Sequence, residues 1–206
     1  MSQLERHQSG DWRVTVYQDD DSESLRGWGT NLGTFITWDR DFLSPDDNPF
    51  DSPEDFVEWW ASLEADERYV LLNVHRCEHG GVEYRASKPG EGNPFGNGLY
   101  ARWDSGQVGF IFSTPESIEA TGCPLDEIEN GLRGEVSVYS HWANGEVYGY
   151  LIERAKTCDE CGHTEWEDLG ACWGYIESIP LSDVTPDDGQ LPEDLLEMLR
   201  DSYYFE

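Results

Sequence analysis

The chain has 206 residues, of which 43 are acidic and 13 basic, so its formal net charge is −30. A surface this negative repels nucleic acid and anionic membranes, and it attracts proteins that bind polyanions. Nine Trp, ten Tyr and eight Phe exclude a disordered acidic chain, because such chains contain few aromatic residues. The composition therefore predicts a folded acidic protein.

The first half of the chain predicts strands and one capped helix. Residues 14–17 and 34–38 have the composition of strands and are separated by an acidic, glycine-containing stretch. Ser52 followed by Pro53 is typical of a helix start, with Ser as the N-cap and Pro in the first turn. Residues 69–74 and 82–85 then predict a hairpin whose turn contains His79.

The second half predicts one long helix between further strands. A Gly/Pro-rich loop at 87–99 leads to a strand at 107–113. Apolar residues at three- and four-residue steps then predict an amphipathic helix over about 125–144, despite two interior glycines, Gly131 and Gly134. Further strands at 147–152 and 172–179 and a short helix after Pro192 complete the pattern.

These elements mix without a regular strand–helix alternation, which favours the α+β class. We expect a largely antiparallel sheet packed by the helix at about 125–144 and by shorter helices. Residues 1–180 are expected to form a single domain that carries a Cys-rich insert at 156–171. Residues 181–206 are expected to form an acidic helical appendage.

The spacing of two cysteines indicates a metal site. Cys158 and Cys161 form a Cys-x-x-Cys pair followed by Gly, a spacing that lets both thiolates bind one tetrahedral zinc ion. Such a pair is half a site, and Cys77 with His79 could complete it. Cys172 and His163 are alternative ligands, although Cys172 also fits a small buried apolar residue. The alternatives are one structural zinc ion or reduced thiols without a ligand.

The block at 103–109, Trp-Asp-Ser-Gly-Gln-Val-Gly, has two interpretations. Asp, Ser and Gly are typical turn residues, so the block could be a tight turn before a buried strand, with Trp103 as a packing anchor. Alternatively, Trp103, Asp104, Ser105 and Gln107 form a binding site for another molecule. The sequence leaves both open.

Several motifs together show a resemblance. They are the stretches 18–24 and 31–34, the block at 103–110, and the motifs at 145–150 and 172–175, the last beginning Cys-Trp-Gly. In this order, over roughly residues 12–178, they resemble a family of small uncharacterised phage and prophage proteins. The resemblance implies a phage or mobile-element context, and it implies no activity. The Cys-rich insert and residues 180–206 depart from the family pattern.

No catalytic signature is complete, so we expect a protein that is not an enzyme. A Cys77–His79 nucleophile is conceivable, but Glu78 and the negative field of the whole protein would oppose thiolate formation. The absence of an 18-residue apolar run and of a signal peptide at the N-terminus predicts a cytoplasmic location.

The expected partner is a host protein, without direct contact to nucleic acid or membrane. Thirty charges would match about 50 Å of duplex at one charge per ~1.7 Å, so the total suffices for DNA mimicry. The targets would then be nucleic-acid-binding or defence complexes, such as restriction enzymes. The net charge is −6 in each of residues 1–50, 51–100 and 101–150, and −12 in 151–206. This even spread, with only two lysines, equally fits a small interaction module, with or without a stabilising zinc ion, from a salt-adapted or GC-rich host.

Overall fold

The computed structural model describes residues 1–27, 29–64 and 66–206, with the backbone alone at 99 and 100. The strands within these residues are β1 (Ser2–Ser9), β2 (Trp12–Gln18), β3 (Thr34–Thr37), β4 (Leu71–Glu78), β5 (Val82–Ser87), β6 (Ser105–Phe112), β7 (Val147–Thr157) and β8 (Thr164–Ile176). The α-helices are α1 (Pro53–Ser62), α2 (Leu99–Asp104), α3 (Pro115–Thr121), α4 (Ile128–Ala143) and α5 (Glu193–Arg200). None of these helices combines the length and the apolar character needed to cross a bilayer.

The described residues form two compact units. Unit 1 joins Met1–Ser22 to Gly145–Glu206, and unit 2 comprises Glu23–Asn144. Unit 1 contains the antiparallel sheet β1-β2-β7-β8, and unit 2 contains the antiparallel sheet β3-β6-β4-β5. The predicted α+β class and antiparallel pairing are confirmed. The chain builds two sheets rather than one, because β2 pairs with the distant β7 and not with β3.

The core of unit 1 lies on one face of its sheet. Alternate residues of β2 and β7 are buried there, as the two-residue period of a strand requires; they are Val14, Val16, Tyr148, Tyr150 and Ile152. The C-terminal segment 181–206, which we expected to be an appendage, covers this face with Leu195 and Leu199 of α5. The expected insert 156–171 is occupied by the ends of β7 and β8 and the turn between them.

In unit 2, α4 packs on one face of the sheet. Its buried Leu132, Val136 and Tyr139 recur at three- and four-residue steps and share a core with Phe35. The helix begins at Ile128 rather than near 125, because the preceding residues form a turn. It is one of five α-helices in the described part of the chain and does not dominate the fold. Its interior Gly131 is explained by packing, since a Cβ there would lie 2.5 Å from the Leu32 side chain.

The other face of this sheet carries an aromatic core with α1. Ser52 caps α1 as predicted, because its side chain accepts a hydrogen bond from the Asp55 amide at 3.2 Å. Phe56, which is fully buried, stacks on Phe110 of β6 with ring centroids 4.7 Å apart. The unit 2 sheet is thus covered by a helix on each face, and its functional side chains must lie at strand ends and loops.

Candidate interaction site

The end of β4 and the start of β6 bring predicted site residues together in unit 2. Cys77 of β4 pairs with Ser105, the first residue of β6, so the residues flanking these two positions approach one another. His79 Nδ1 lies 3.0 Å from Asp104 Oδ2, and the imidazole is 70% exposed. The sheet register therefore places His79, expected as a metal ligand, against Asp104, expected in a binding site.

Trp103 lies next to this pair and is 85% exposed. The helix α2 ends at Asp104 and β6 begins at Ser105, whose backbone is already extended (φ −134°, ψ 151°). No tight turn separates the two elements, so the interpretation of Trp103 as a packing anchor is wrong. A large exposed aromatic ring beside charged side chains is typical of residues that dominate binding energy at protein interfaces. This geometry favours the interpretation of the block as a binding site.

The other two predicted binding residues have different surroundings. The Ser105 hydroxyl donates to the Ala101 carbonyl and accepts from Asn93 Nδ2 at 2.7 Å. It thereby ties the Gly/Pro-rich loop to β6, which is a structural role. Gln107 lies farther along β6 and lines a cleft of about 620 Å³.

This cleft was not indicated by any motif that we identified. Its wall contains a buried ion pair, in which Arg76 Nη1 lies 2.5 Å from Asp39 Oδ2 and the side chains are 14% and 6% exposed. The guanidinium also lies over the Phe42 ring, 4.5 Å from its centroid. The charged triplet Asp39-Arg40-Asp41, one residue after β3, is the sequence signal that could have revealed it. The buried charges of Asp39 and Arg76 in this wall are thus paired with each other.

The Cys77 thiol belongs to the same region but is poorly suited to covalent chemistry. Burial, together with the nearby carboxylates of Asp104 and Glu83, raises the pKa of Cys77 above its ordinary value. The thiol therefore stays protonated at neutral pH, whereas a nucleophile must be a thiolate. The His79–Asp104 pair resembles part of a catalytic constellation, but Cys77 lacks the activation that such chemistry requires.

The Cys158–Cys161 pair lies in unit 1, in the turn between β7 and β8, and both residues are exposed. Cys172 is exposed within β8, so the expectation of a small buried residue at a strand start is wrong. Throughout the described ranges, no group of three or more His, Cys, Asp and Glu side chains is gathered with metal-binding geometry. The Cys158–Cys161 pair in unit 1 and the Cys77–His79 pair in unit 2 thus each supply at most part of a metal site within their own unit. The zinc site stays a prediction.

The net charge divides unequally between the units. Unit 1 has 21 acidic and 5 basic residues, a net of −16 in 84 residues. Unit 2 has 22 acidic and 8 basic residues, a net of −14 in 122 residues. Arg13, Arg26 and Arg76 form ion pairs in which their side chains are at most 18% exposed. Since these cations lie mostly inside, they shield the outer carboxylates little.

Comparisons with known protein families, curated proteins and solved structures find no match to this chain.

Proposed function

We propose that this chain is a non-enzymatic, cytoplasmic accessory protein of a phage or mobile element that binds a host protein. Its partner carries a basic surface made for nucleic acid, such as that of a restriction or other defence complex, and this chain occupies that surface as a mimic of DNA. The phage context rests on the motif resemblance. The mode of binding rests on the charge.

The observation that carries the proposal is the uncompensated charge on a folded aromatic core. Thirty carboxylates have no basic residue to balance them in the whole chain. Several of the arginines are also used inside, as in the Arg26 pairs with Asp46 and Glu135. A basic cleft attracts such a surface, and the attraction both accelerates association and weakens with added salt.

The exposed site of unit 2 gives this charge a specific contact. Trp103 presents an exposed aromatic ring and is adjacent in sequence to Asp104, and we compare these two groups with an unstacked base and its phosphate. Proteins that bind single-stranded nucleic acid combine a positive groove with aromatic stacking platforms. A partner of this kind would accept the indole and the carboxylate together.

Competition experiments test the proposal. A large excess of this chain at low salt is expected to displace labelled duplex or single-stranded DNA from restriction complexes of the host. Trp103→Ala should weaken displacement roughly 10- to 30-fold, the loss typical of an interface hot spot. Tyr203→Ala is the matched control, because Tyr203 is 82% exposed in unit 1. Equal loss in both variants would contradict the role of Trp103, and no displacement by any variant would contradict the mimicry.

A second candidate is an interaction module whose acidity is an adaptation to a salt-rich cell, and the acidic excess of both units favours it. Salt at a few tenths molar already screens most of the repulsion between surface carboxylates, because the Debye length is then below about 8 Å. If the acidity is an adaptation to a salt-rich cell, the free energy of unfolding should instead keep rising as KCl increases to molar concentrations. Chemical denaturation in 0.3 M and 3 M KCl separates the two functions.

A further inference from the structure

The turn between β7 and β8 projects from the sheet of unit 1. Pairing of β2 with β7 ends at Trp12 and Arg154, whereas β7 and β8 stay paired as far as Thr157 and Thr164. These three further residue pairs extend the hairpin by about 10 Å at ~3.3 Å per residue. Every residue from 156 to 165 is exposed. The tip is therefore accessible from several directions.

The tip has a defined backbone conformation. The Cys158 amide donates to the His163 carbonyl at 2.8 Å, and the Gly162 amide donates to the Cys158 carbonyl at 2.8 Å. Gly162 has a φ of +70°, which glycine adopts readily and other residues rarely adopt. The hydroxyls of Thr157 and Thr164 lie 3.0 Å apart below the turn. These contacts hold the two cysteines of the turn in a fixed arrangement.

The same turn directs polar groups at the Cys158 sulfur. The Cys161 amide, the Cys161 thiol and the Glu160 amide donate hydrogen bonds to the Cys158 sulfur. Amides of a Cys-x-x-Cys-Gly turn that donate to sulfur are the surroundings expected of a zinc thiolate.

The turn supplies two ligands, and a structural zinc ion takes four in a tetrahedron. His163, the histidine nearest to the turn in the sequence, has its Nε2 3.6 Å from the Glu165 carboxylate. The described residues gather no third ligand around the two thiols. Two further ligands, thiolate or imidazole, must then come from outside this turn if zinc is bound with ordinary geometry.

We propose that Cys158 and Cys161 are half of a tetrahedral zinc site, which the same two cysteines of a second copy of this chain complete. One zinc ion then joins two chains at their hairpin tips. A two-fold axis through the ion makes the two halves equivalent, so each copy contributes two of the four ligands. The inference does not depend on the proposed function.

The projection of the tip permits this arrangement, whereas the charge of the tip opposes it and sets the salt conditions under which it forms. Because the tip extends beyond the neighbouring strand, two tips can meet without requiring contact between larger surfaces. Asp159, Glu160 and Glu165 make each tip acidic, so the two copies repel one another at low salt. Zinc offsets part of this repulsion, and added salt screens the rest. Zinc-dependent dimerisation should therefore strengthen between 0.05 M and 0.5 M salt, in contrast to the electrostatic binding of a basic partner.

The full-length reduced chain is titrated with zinc chloride, and its mass and metal content are measured by light scattering and elemental analysis after gel filtration. We expect 0.5 zinc per chain and a shift from the 23.5 kDa chain to a species of twice that mass. A chelator should reverse the shift. Cobalt should give the thiolate-to-metal charge-transfer absorption of a four-sulfur site.

Matched variants complete the test. Cys158→Ser and Cys161→Ser should each abolish zinc retention and dimerisation, whereas Cys172→Ser should leave both unchanged, because Cys172 is exposed on β8 outside the turn. One zinc per chain without a mass change would overturn the shared site. Failure to retain zinc, or dimerisation that survives Cys158→Ser, would also overturn it. Circular dichroism serves as the folding control. We expect each variant to be folded, because the exposed tip contributes nothing to either core.

Discussion

The two units use the same excess of acidic residues in different ways. In unit 2, carboxylates hold the fold together: Asp46 and Glu135 both bind the buried Arg26 guanidinium. Asp46 also accepts a hydrogen bond from the Phe35 amide at 2.7 Å, and Glu135 accepts one from the Leu32 amide at 2.6 Å. These bonds satisfy the backbone of β3 and the residues before it. Such carboxylates are structural and are not free to bind a partner.

In unit 1, much of the charge lies on exposed elements. The hairpin tip and the outer side of α5 carry exposed acidic residues, including Glu160, Glu165, Glu197 and Asp201. Unit 1 is the more densely charged of the two, at −16 in 84 residues against −14 in 122. The contrast shows that net charge alone does not identify a binding surface, since part of it belongs to the interior.

The largest expected effect follows from removing the buried cation of unit 2. Arg26→Ala leaves Asp46 and Glu135 without their partner, in a place where the arginine side chain is 6% exposed. Loss of one member of a buried charge pair costs about 3–5 kcal/mol. Urea denaturation should show this loss, whereas Arg200→Ala, which removes an exposed pair with Glu193, should cost less than about 1 kcal/mol. Similar losses in both variants would contradict the contrast between the units.

A smaller effect on the free energy of unfolding is expected when the pH is lowered, because of His75. Burial lowers the pKa of His75 in unit 2, so the folded state keeps the imidazole neutral at pH values where the unfolded chain is protonated. The free energy of unfolding should therefore fall as the pH drops below ~6.5, by at most about 1.4 kcal/mol per pH unit. His75→Gln should remove this dependence, and His163→Gln, exposed in unit 1, should retain it. A wild-type curve parallel to that of His75→Gln would contradict the assignment.

The smallest effect is expected from the charge of unit 1. The double variant Glu197→Gln/Asp201→Asn neutralises two exposed carboxylates of α5, one of them at the C-cap, where the helix dipole disfavours negative charge. The free energy of unfolding should change by less than about 0.5–1 kcal/mol, with any change stabilising. Thermal denaturation at 0.05 M and 0.5 M salt measures it. A marked destabilisation would show that these carboxylates are structural, as in unit 2.

Local signals predicted much of the fold. The Ser52-Pro53 start gave α1 correctly, and the apolar spacing of Leu132, Val136 and Tyr139 located α4. The strand β1 was missed, because its residues 2–9 are mostly polar and partly exposed at a sheet edge. The two-unit organisation was missed as well, since pairing of β2 with β7 joins segments more than 100 residues apart and no local pattern encodes it.

The candidate site was only partly predictable for the same reason. The sequence indicated Asp104 and His79 separately, but their contact depends on the register of β4 against β6. The exposure of Trp103 could not be predicted either, because the turn chemistry of Asp-Ser-Gly is compatible with a packed anchor as well as with a binding site. The cysteine spacing at 158 and 161 was readable from sequence, since both ligands lie in one turn.

Competition for DNA at two salt concentrations tests the central claim most directly. Displacement of a labelled duplex from a host restriction complex is measured by fluorescence anisotropy, with the wild-type chain and with Trp103→Ala. The account predicts displacement by the wild type at 0.05 M salt, a weaker effect at 0.3 M, and a roughly 10- to 30-fold loss in Trp103→Ala. An undisturbed complex in a large excess of the wild-type chain at 0.05 M salt would contradict it.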